Sequence, residues 1–157
     1  AWRQVVGALS THPVEKPTNL GRAVDQVIAK VSNRCLIALV SDLFQDPADI
    51  RAAMARVKHK GHDLIAFQML DRAEREFAFA EAAPFEGLEG EGVVKVEPRA
   101  VRQAYLDAIE KHLEAVEKIT RGFGFDYQLV DTHDWLGPPL AAFVARRNAQ
   151  IKRSKYG

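Results

Sequence analysis

The sequence has little of what marks several large protein classes. Cys35 is the only cysteine among 157 residues, so no disulfide can form within the chain, which is typical of a reducing compartment. No apolar run approaches the roughly 18 residues that a membrane-spanning helix needs, and no signal peptide is visible. We therefore expect a cytoplasmic protein with no membrane segment in this chain.

Charge imbalance and catalytic motifs are absent as well. The net charge is +1, so nothing points to nucleic acid as a partner. Neither of the glycine-rich phosphate-binding patterns, G-x-x-x-x-G-K and G-x-G-x-x-G, occurs. No Ser/His/Asp arrangement or pair of acid–base groups stands out, so we expect no catalytic residues and no bound organic cofactor, and we interpret the chain as a non-enzyme.

Helical stripes and short apolar runs alternate along the chain. Residues 35–40 and 64–67 are apolar runs of strand length, and the helix between them opens at Asp46-Pro47 and stops near Gly61. Such alternation predicts right-handed crossovers and a mainly parallel, Rossmann-like sheet in a three-layer α/β fold. Because residues 36–40 are continuously apolar, we expect that strand to be buried on both faces.

The α/β rhythm breaks between residues 72 and 97. Glycines punctuate this segment, which predicts a small antiparallel excursion around residues 77–97 with Val93–Val96 as one strand. Pro98 then opens the longest helix, residues 127–130 form a third strand, and Pro138-Pro139 start the last helix. We expect residues 1–157 to form a single domain with a β insertion at about 72–97.

An aspartate follows each of the three predicted parallel strands. Asp42, Asp71 and Asp131 should therefore meet at the carboxyl edge of the sheet, where ligands bind in open α/β sheets. Carboxylate oxygens suit a hard cation, and nearby hydroxyls could complete such a site, namely those of Thr18, Ser41 and Thr132. Alternatively, each aspartate caps the turn or helix that follows its strand.

Histidine and cysteine side chains give weaker indications. His59 and His62 flank the predicted helix end, and two histidines do not complete a zinc site, so we interpret both as surface residues. Cys35 has no activating group near it in sequence, so we expect a buried structural thiol.

Several runs resemble a known family. Thr18-Asn19-Leu20, together with residues 35–46 (CLIALVSDLFQD), is similar to the second half of a von Willebrand factor A domain. The resemblance narrows to bacterial proteins with the domain of unknown function DUF58. The runs that narrow it are LDRAEREF at 70–77, VEPRAV at 96–101, GFDY at 124–127 and ARR at 145–147.

The resemblance implies a partial metal site. Von Willebrand A domains hold a divalent metal, usually Mg²⁺, with an Asp-x-Ser-x-Ser motif, a threonine and an aspartate. Thr18 matches the threonine and Asp42 matches the aspartate, but the motif occurs nowhere in these 157 residues. We therefore expect no tightly bound metal in this chain, and Mg²⁺ or Mn²⁺ only in a longer, intact protein.

The chain begins at Ala1 rather than Met, inside a helical pattern, which we interpret as a piece of something longer. The resemblance implies that the strand at residues 36–40 normally lies beside a first strand that this chain lacks. That strand would then be an exposed apolar edge, which predicts a homodimer through residues 36–40.

The resemblance also implies a function. DUF58-type proteins are expected to act as protein-interaction scaffolds with MoxR-type AAA+ ATPases. The alternative from the residues is a Mg²⁺-dependent phosphoacceptor or hydrolase that uses Asp42, since aspartate nucleophiles lie at strand ends. A structural domain with no ligand of its own is the third interpretation.

Overall fold

The structure is a computed structural model that describes residues 2–11, 19–77, 83–86, 93–96 and 98–156. Thr18 lies outside these residues. The helices are α1 (Trp2–Thr11), α2 (Leu20–Lys30), α3 (Pro47–His59), α4 (Arg72–Glu76), α5 (Pro98–Gly122) and α6 (Gly137–Tyr156). The strands are β1 (Leu36–Ser41), β2 (Asp63–Leu70), β3 (Ala83–Glu86), β4 (Val93–Val96) and β5 (Asp126–Asp131).

Three of the strands form a parallel sheet in the order β1-β2-β5. Leu36 pairs with Asp63 at the start of β1, and Ser41 pairs with Gln68 at its end. Helices flank the sheet, so the predicted Rossmann-like α/β class is confirmed. β1 has a neighbour on one side only among the described strands, which places it at an edge of the sheet.

The predicted antiparallel excursion is also present. β3 and β4 pair antiparallel, with Ala83 opposite Val96. The start of the inserted region differs from the prediction, because residues 72–76 form the short helix α4. Asp71 caps that helix and Glu74 completes a reciprocal capping box, which is a strong local helix start.

Local signals explain the ends of the longer helices. Asn19 caps α2 by accepting from the Arg22 N–H, and Asp46 caps α3 with Pro47 at the first helical turn. After α3 and α5 the chain turns through Gly61 and Gly124, both at positive φ. Glycine adopts this left-handed conformation without the steric cost that a side chain brings.

Helices cover the two faces of the sheet unequally. The face packed against α2, α3 and α5, here called the α3 face, carries the main core, in which Ile50, Val57, Ala66 and Val116 have no exposed surface. The opposite side, here called the α6 face, is covered where α6 lies over β2 and β5. Phe143 of α6 meets Phe67 of β2 edge-on, with ring centroids 6.0 Å apart.

An ion-pair clamp fixes α6 over the amino ends of these two strands. The Arg147 guanidinium bonds both Asp63, which begins β2, and Asp126, which begins β5. Burial lowers the pKa of Arg147, the hydrogen bonds from the two carboxylates raise it, and the net shift is upward. α6 is therefore tied to β2 and β5 and not to β1.

The prediction that β1 is buried on both faces is wrong. Its burial alternates, and the side chains of Leu36, Ala38 and Val40 are exposed while Ile37 and Leu39 pack against the core. The reason is the position of α6, which covers β2 and β5 and leaves the α6 face of β1 open. Apolar composition alone could not distinguish a covered strand from an uncovered one.

Candidate functional site

The turn after β1 places Ser41 and Asp42 at the carboxyl edge of the sheet, as predicted. The Ser41 hydroxyl donates to Asp42 Oδ1 at 3.1 Å and accepts from the Leu43 N–H at 3.1 Å. Asp42 Oδ1 also accepts from the Phe44 N–H at 3.4 Å. Asp42 thus shapes its own turn, and its carboxylate remains exposed.

Leu43 holds this turn in a strained conformation. Its φ of 57° lies in the left-handed region, which costs a non-glycine residue about 1–2 kcal/mol. The side chain is 1% exposed, and the Leu43 carbonyl oxygen lies 2.8 Å from His112 Nε2. Burial of the side chain and this contact with α5 offset the backbone strain.

A buried chain of polar groups anchors the same turn from the neighbouring strands. Tyr127 of β5 donates its hydroxyl to Gln68 Oε1 at 2.8 Å, and Gln68 Nε2 donates to the Asp42 carbonyl at 2.7 Å. Gln68 is fully buried on the α3 face of β2. Burial, followed by the charge of Glu117, raises the pKa of Tyr127 to about 12. The hydroxyl is therefore protonated at neutral pH and can donate.

The other two predicted aspartates come together at the ends of β2 and β5. Asp131 is buried, its Oδ1 accepts from the His133 N–H at 2.9 Å, and its Oδ2 lies 3.8 Å from Arg72 Nε and 3.7 Å from Arg75 Nη1. Asp71 accepts from the Ala73 N–H at 2.8 Å and from the Thr132 hydroxyl at 3.1 Å. The hydrogen bond from Ala73 is the main cause that lowers the pKa of Asp71.

These contacts decide what the two carboxylates can do. Arg72 and Arg75 already lie beside Asp131, and backbone N–H groups already donate to both carboxylates. This pattern is expected of aspartates that cap a helix and join two strand ends. A cation would have to displace the arginines first. In this arrangement Asp71 and Asp131 join α4 to β5, and among the described residues neither shares a hydrogen-bonding partner with Asp42.

The residues in place offer few ligands to the metal that the family resemblance implies. Asp42 offers one carboxylate, and one of its oxygens already serves the turn. Within the described ranges, no group of three or more histidine, cysteine or acidic side chains could hold a metal ion. Mg²⁺ demands near-octahedral oxygen coordination, so the described residues do not fit it by themselves.

The most unusual feature is the open side of β1. The Asp63 N–H donates to the Cys35 carbonyl at 2.9 Å, so the ladder to β2 uses the backbone groups of residues 35, 37 and 39. The N–H and C=O groups of Leu36, Ala38 and Val40 therefore point away from β2, because alternate residues of a parallel strand bond to opposite sides. Their side chains are also uncovered, with Leu36 49% and Val40 63% exposed.

A histidine near the start of β1 corrects an expectation. His62 was predicted to be a surface residue but is 6% exposed. Its Nδ1 accepts from the Cys35 N–H at 3.4 Å and lies 3.5 Å from Cys35 Sγ. Cys35 is partly buried. The pair closes the amino end of the β1–β2 ladder, and the imidazole is a structural acceptor there.

Two polar contacts that support this region were not predicted from the sequence. The predicted apolar run ends at Phe67, and no partner was predicted for Gln68, although an amide that continues a buried strand must find partners. The Cys35–His62 contact spans 27 positions and has no local signal. For Gln68 the polar interruption of residues 64–70 was the available signal.

Comparison with known proteins adds one finding. The family model described as "Protein of unknown function DUF58" matches residues 1–115, which is most of the chain. The suggested resemblance beyond residue 115 lies outside that match. No curated protein and no solved structure matches the chain significantly. In the part of the chain that the structure describes, no helix is long and apolar enough to cross a membrane.

Proposed function

We propose that this chain, which belongs to the DUF58 family, is a non-enzymatic protein-interaction module. The observation that carries the proposal is the open side of β1. An unpaired strand edge binds another strand through its backbone groups, and an apolar flank adds burial. Natural proteins usually protect such edges with lysine, proline or a bulge, and Leu36–Ser41 contains none of these.

The uncovered area extends beyond the strand edge. On the same side, Leu140 and Val144 of α6 are 43% and 52% exposed. Arg146, which follows them on the helix, reaches Gln128 of β5, so Leu140 and Val144 lie on the other flank of α6. The strand and this helix flank thus both expose apolar side chains. Large exposed apolar areas are typical of recognition surfaces.

The finer assignment is part of the same proposal. We infer a von Willebrand A-like module that acts with a MoxR-type AAA+ ATPase in an intact protein, with Thr18 and Asp42 as part of a divalent metal site. The position of Asp42 after the strand supports this, since it is exposed at the carboxyl edge. No step of recognition is assigned to a metal, because the described residues do not complete a site.

The experiment for the interaction is a direct binding measurement. A purified MoxR-type ATPase from the same organism is titrated against the chain and against Val40→Lys, which places a charge on the open strand. Val27→Lys is the matched control, because Val27 is an exposed valine on α2, 43% exposed. We expect Val40→Lys to weaken binding at least tenfold and Val27→Lys to leave it unchanged. Equal binding by both variants would remove β1 from the interface.

The role of Asp42 is tested separately. Mg²⁺ and Mn²⁺ titrations of this chain and of Asp42→Ala should give the same weak, unsaturated binding, because one exposed carboxylate is a poor site. Saturable binding that Asp42→Ala abolishes would show that the chain completes a site. Incubation with a small phosphodonor and Mg²⁺ tests the phosphoacceptor alternative, and a mass increase at Asp42 would overturn the non-enzymatic proposal.

A further inference from the structure

We propose that the partner at the open side of β1 is a second copy of this chain, paired antiparallel about Ala38. This inference rests on the proposed function, since it uses the same surface, and a second copy bound there would compete with the ATPase for it. The dimer proposal rests on the order of side chains along this edge. Arg34 and Asp42 flank an uncharged run whose outward residues are Leu36, Ala38 and Val40.

Backbone geometry permits the pairing. The outward N–H and C=O groups of Leu36, Ala38 and Val40 are the ones that an added strand would bond. A twofold axis at Ala38 sets Ala38 opposite Ala38 of the second copy, and Leu36 opposite Val40 of the second copy. Each of these residues exchanges both backbone hydrogen bonds with its opposite residue. The two three-stranded sheets then become one continuous sheet.

Charge complementarity fixes the register. Extending the same pairing by one more outward residue at each end, just beyond the limits of β1, would bring Arg34 opposite Asp42 of the second copy, and the twofold axis repeats the contact. Both residues are exposed, and among the described residues neither has an oppositely charged partner within 4 Å. Opposite charges in cross-strand positions are favourable. The edge is therefore self-complementary in hydrogen bonds and in charge.

Other arrangements of two copies are worse. An in-register parallel pair would place Arg34 opposite Arg34, and Asp42 opposite Asp42. An antiparallel shift by two residues would place Arg34 or Asp42 against an apolar side chain. Most soluble homo-oligomers have closed symmetry, and a twofold interface uses the same patch on both copies. The antiparallel pair about Ala38 meets this condition.

The apolar side chains gain from the same pairing. Leu36 and Val40 lie on the α6 face. In the pair, Leu36 of each copy approaches Val40 of the other copy. Their contact removes part of the exposed apolar surface on both copies. The small Ala38 at the centre lets the two strands approach without a clash between larger side chains.

The test uses the whole chain in sedimentation velocity across a range of concentrations, with no ATPase present. We expect a concentration-dependent monomer–dimer equilibrium. Val40→Lys should shift it to monomer, and Val27→Lys should leave it unchanged. Circular dichroism confirms that each variant is folded, so that loss of dimer is not loss of structure.

Charge reversal then tests the register. Arg34→Asp alone places two acids opposite each other twice per dimer, and Asp42→Arg alone does the same with two arginines. Each should weaken the homodimer about tenfold, as expected for reversal of two exposed ion pairs. Mixing the two variants restores both opposite-charge contacts, and so does the double variant. We expect both combinations to dimerise as the unmodified chain does.

Four outcomes would overturn the inference: a monomer at all concentrations, a dimer that Val40→Lys leaves intact, reversed variants that the mixture does not rescue, or a monomer in a longer protein that supplies the first strand which the family resemblance places beside β1. The outcome for the proposed function is separate. If the chain is a monomer and Val40→Lys loses ATPase binding, the dimer is refuted and the interaction function is supported. If the chain dimerises with charge rescue but Val40→Lys binds the ATPase normally, the dimer is supported and the ATPase does not bind this surface.

Discussion

β1 and β2 are neighbouring apolar strands that differ sharply in burial. They pair in register over six positions, from Leu36 with Asp63 to Ser41 with Gln68. On the α6 face, Ile65 of β2 is 2% exposed, whereas Val40 of β1 is 63% exposed. Both are β-branched residues that favour strands. The difference comes from what covers each strand, since α6 lies over β2 and stops short of β1.

This contrast separates two uses of an apolar strand. In β2 the apolar side chains are buried or partly buried on both sides and contribute to folding. In β1 one set of side chains packs on α2 and α3, and the other set contributes nothing to the core of this chain. A stretch of apolar surface that folding does not bury is available for association. If this separation between folding and association is complete, substitutions in β2 should change stability, and substitutions on the open side of β1 should change association.

The largest expected effect comes from the covered strand. Ile65→Thr removes buried carbon and introduces a hydroxyl with no partner under α6, so we expect it to destabilise the fold by about 3 kcal/mol. Urea unfolding followed by circular dichroism is the measurement. Tryptophan fluorescence is unsuitable, because Trp2 and Trp135 are 77% and 81% exposed. A loss below about 1 kcal/mol would mean that α6 does not seal this face of β2.

The sequence was sufficient to predict β1 as a strand and insufficient to predict its environment. The apolar run at residues 36–40 is local information, as are the caps at Asn19 and Asp46 and the turn at Gly61. The position of α6, which leaves β1 uncovered, depends on the clamp from Arg147 to Asp63 and Asp126, which joins positions 84 and 21 residues apart. No local pattern carries that information.

The candidate site divides in the same way. A strand followed by Ser41-Asp42 predicts an exposed turn at the carboxyl edge, and the structure has it. The three aspartates could not be sorted from sequence, because an aspartate that caps and one that faces solvent look alike. Arg72 and Arg75 make the difference at Asp131, through contacts that span about 60 positions. Gln68 and His62 were missed because their partners are distant in sequence.

An alkaline titration should show how firmly β5 and β2 anchor the turn after β1. Folded Tyr127 keeps its proton up to a pKa of about 12, whereas the unfolded chain loses it near an ordinary value of 10. Stability is therefore full below pH 10 and should fall by roughly 2–3 kcal/mol as the pH rises towards 12. Tyr127→Phe should lose this component of the alkaline slope. An identical slope in that variant would show that Tyr127 is not the responsible group.

Gln68 is expected to have a somewhat smaller effect. Gln68→Leu keeps the volume but leaves the Tyr127 hydroxyl and the Asp42 carbonyl without their buried partner, which should cost about 2 kcal/mol. A double-mutant cycle with Tyr127→Phe checks the contact. We expect a coupling of about 1 kcal/mol, because the two side chains share one hydrogen bond. Additive losses would mean that the chain of polar groups does not act as a unit.

The smallest expected effect is the one that sharpens the contrast most. Val40→Thr makes a change related to Ile65→Thr, on the same face of the sheet, in the neighbouring strand. Because Val40 is exposed and threonine also favours strands, we expect the stability of the monomer to change by less than about 0.5 kcal/mol. Urea unfolding at low protein concentration measures this, where self-association does not contribute. A loss comparable to that of Ile65→Thr would mean that β1 is covered in solution and that its open side is not available to a partner. A neutral result, together with weaker self-association at high concentration, would show that the same valine serves association and not folding.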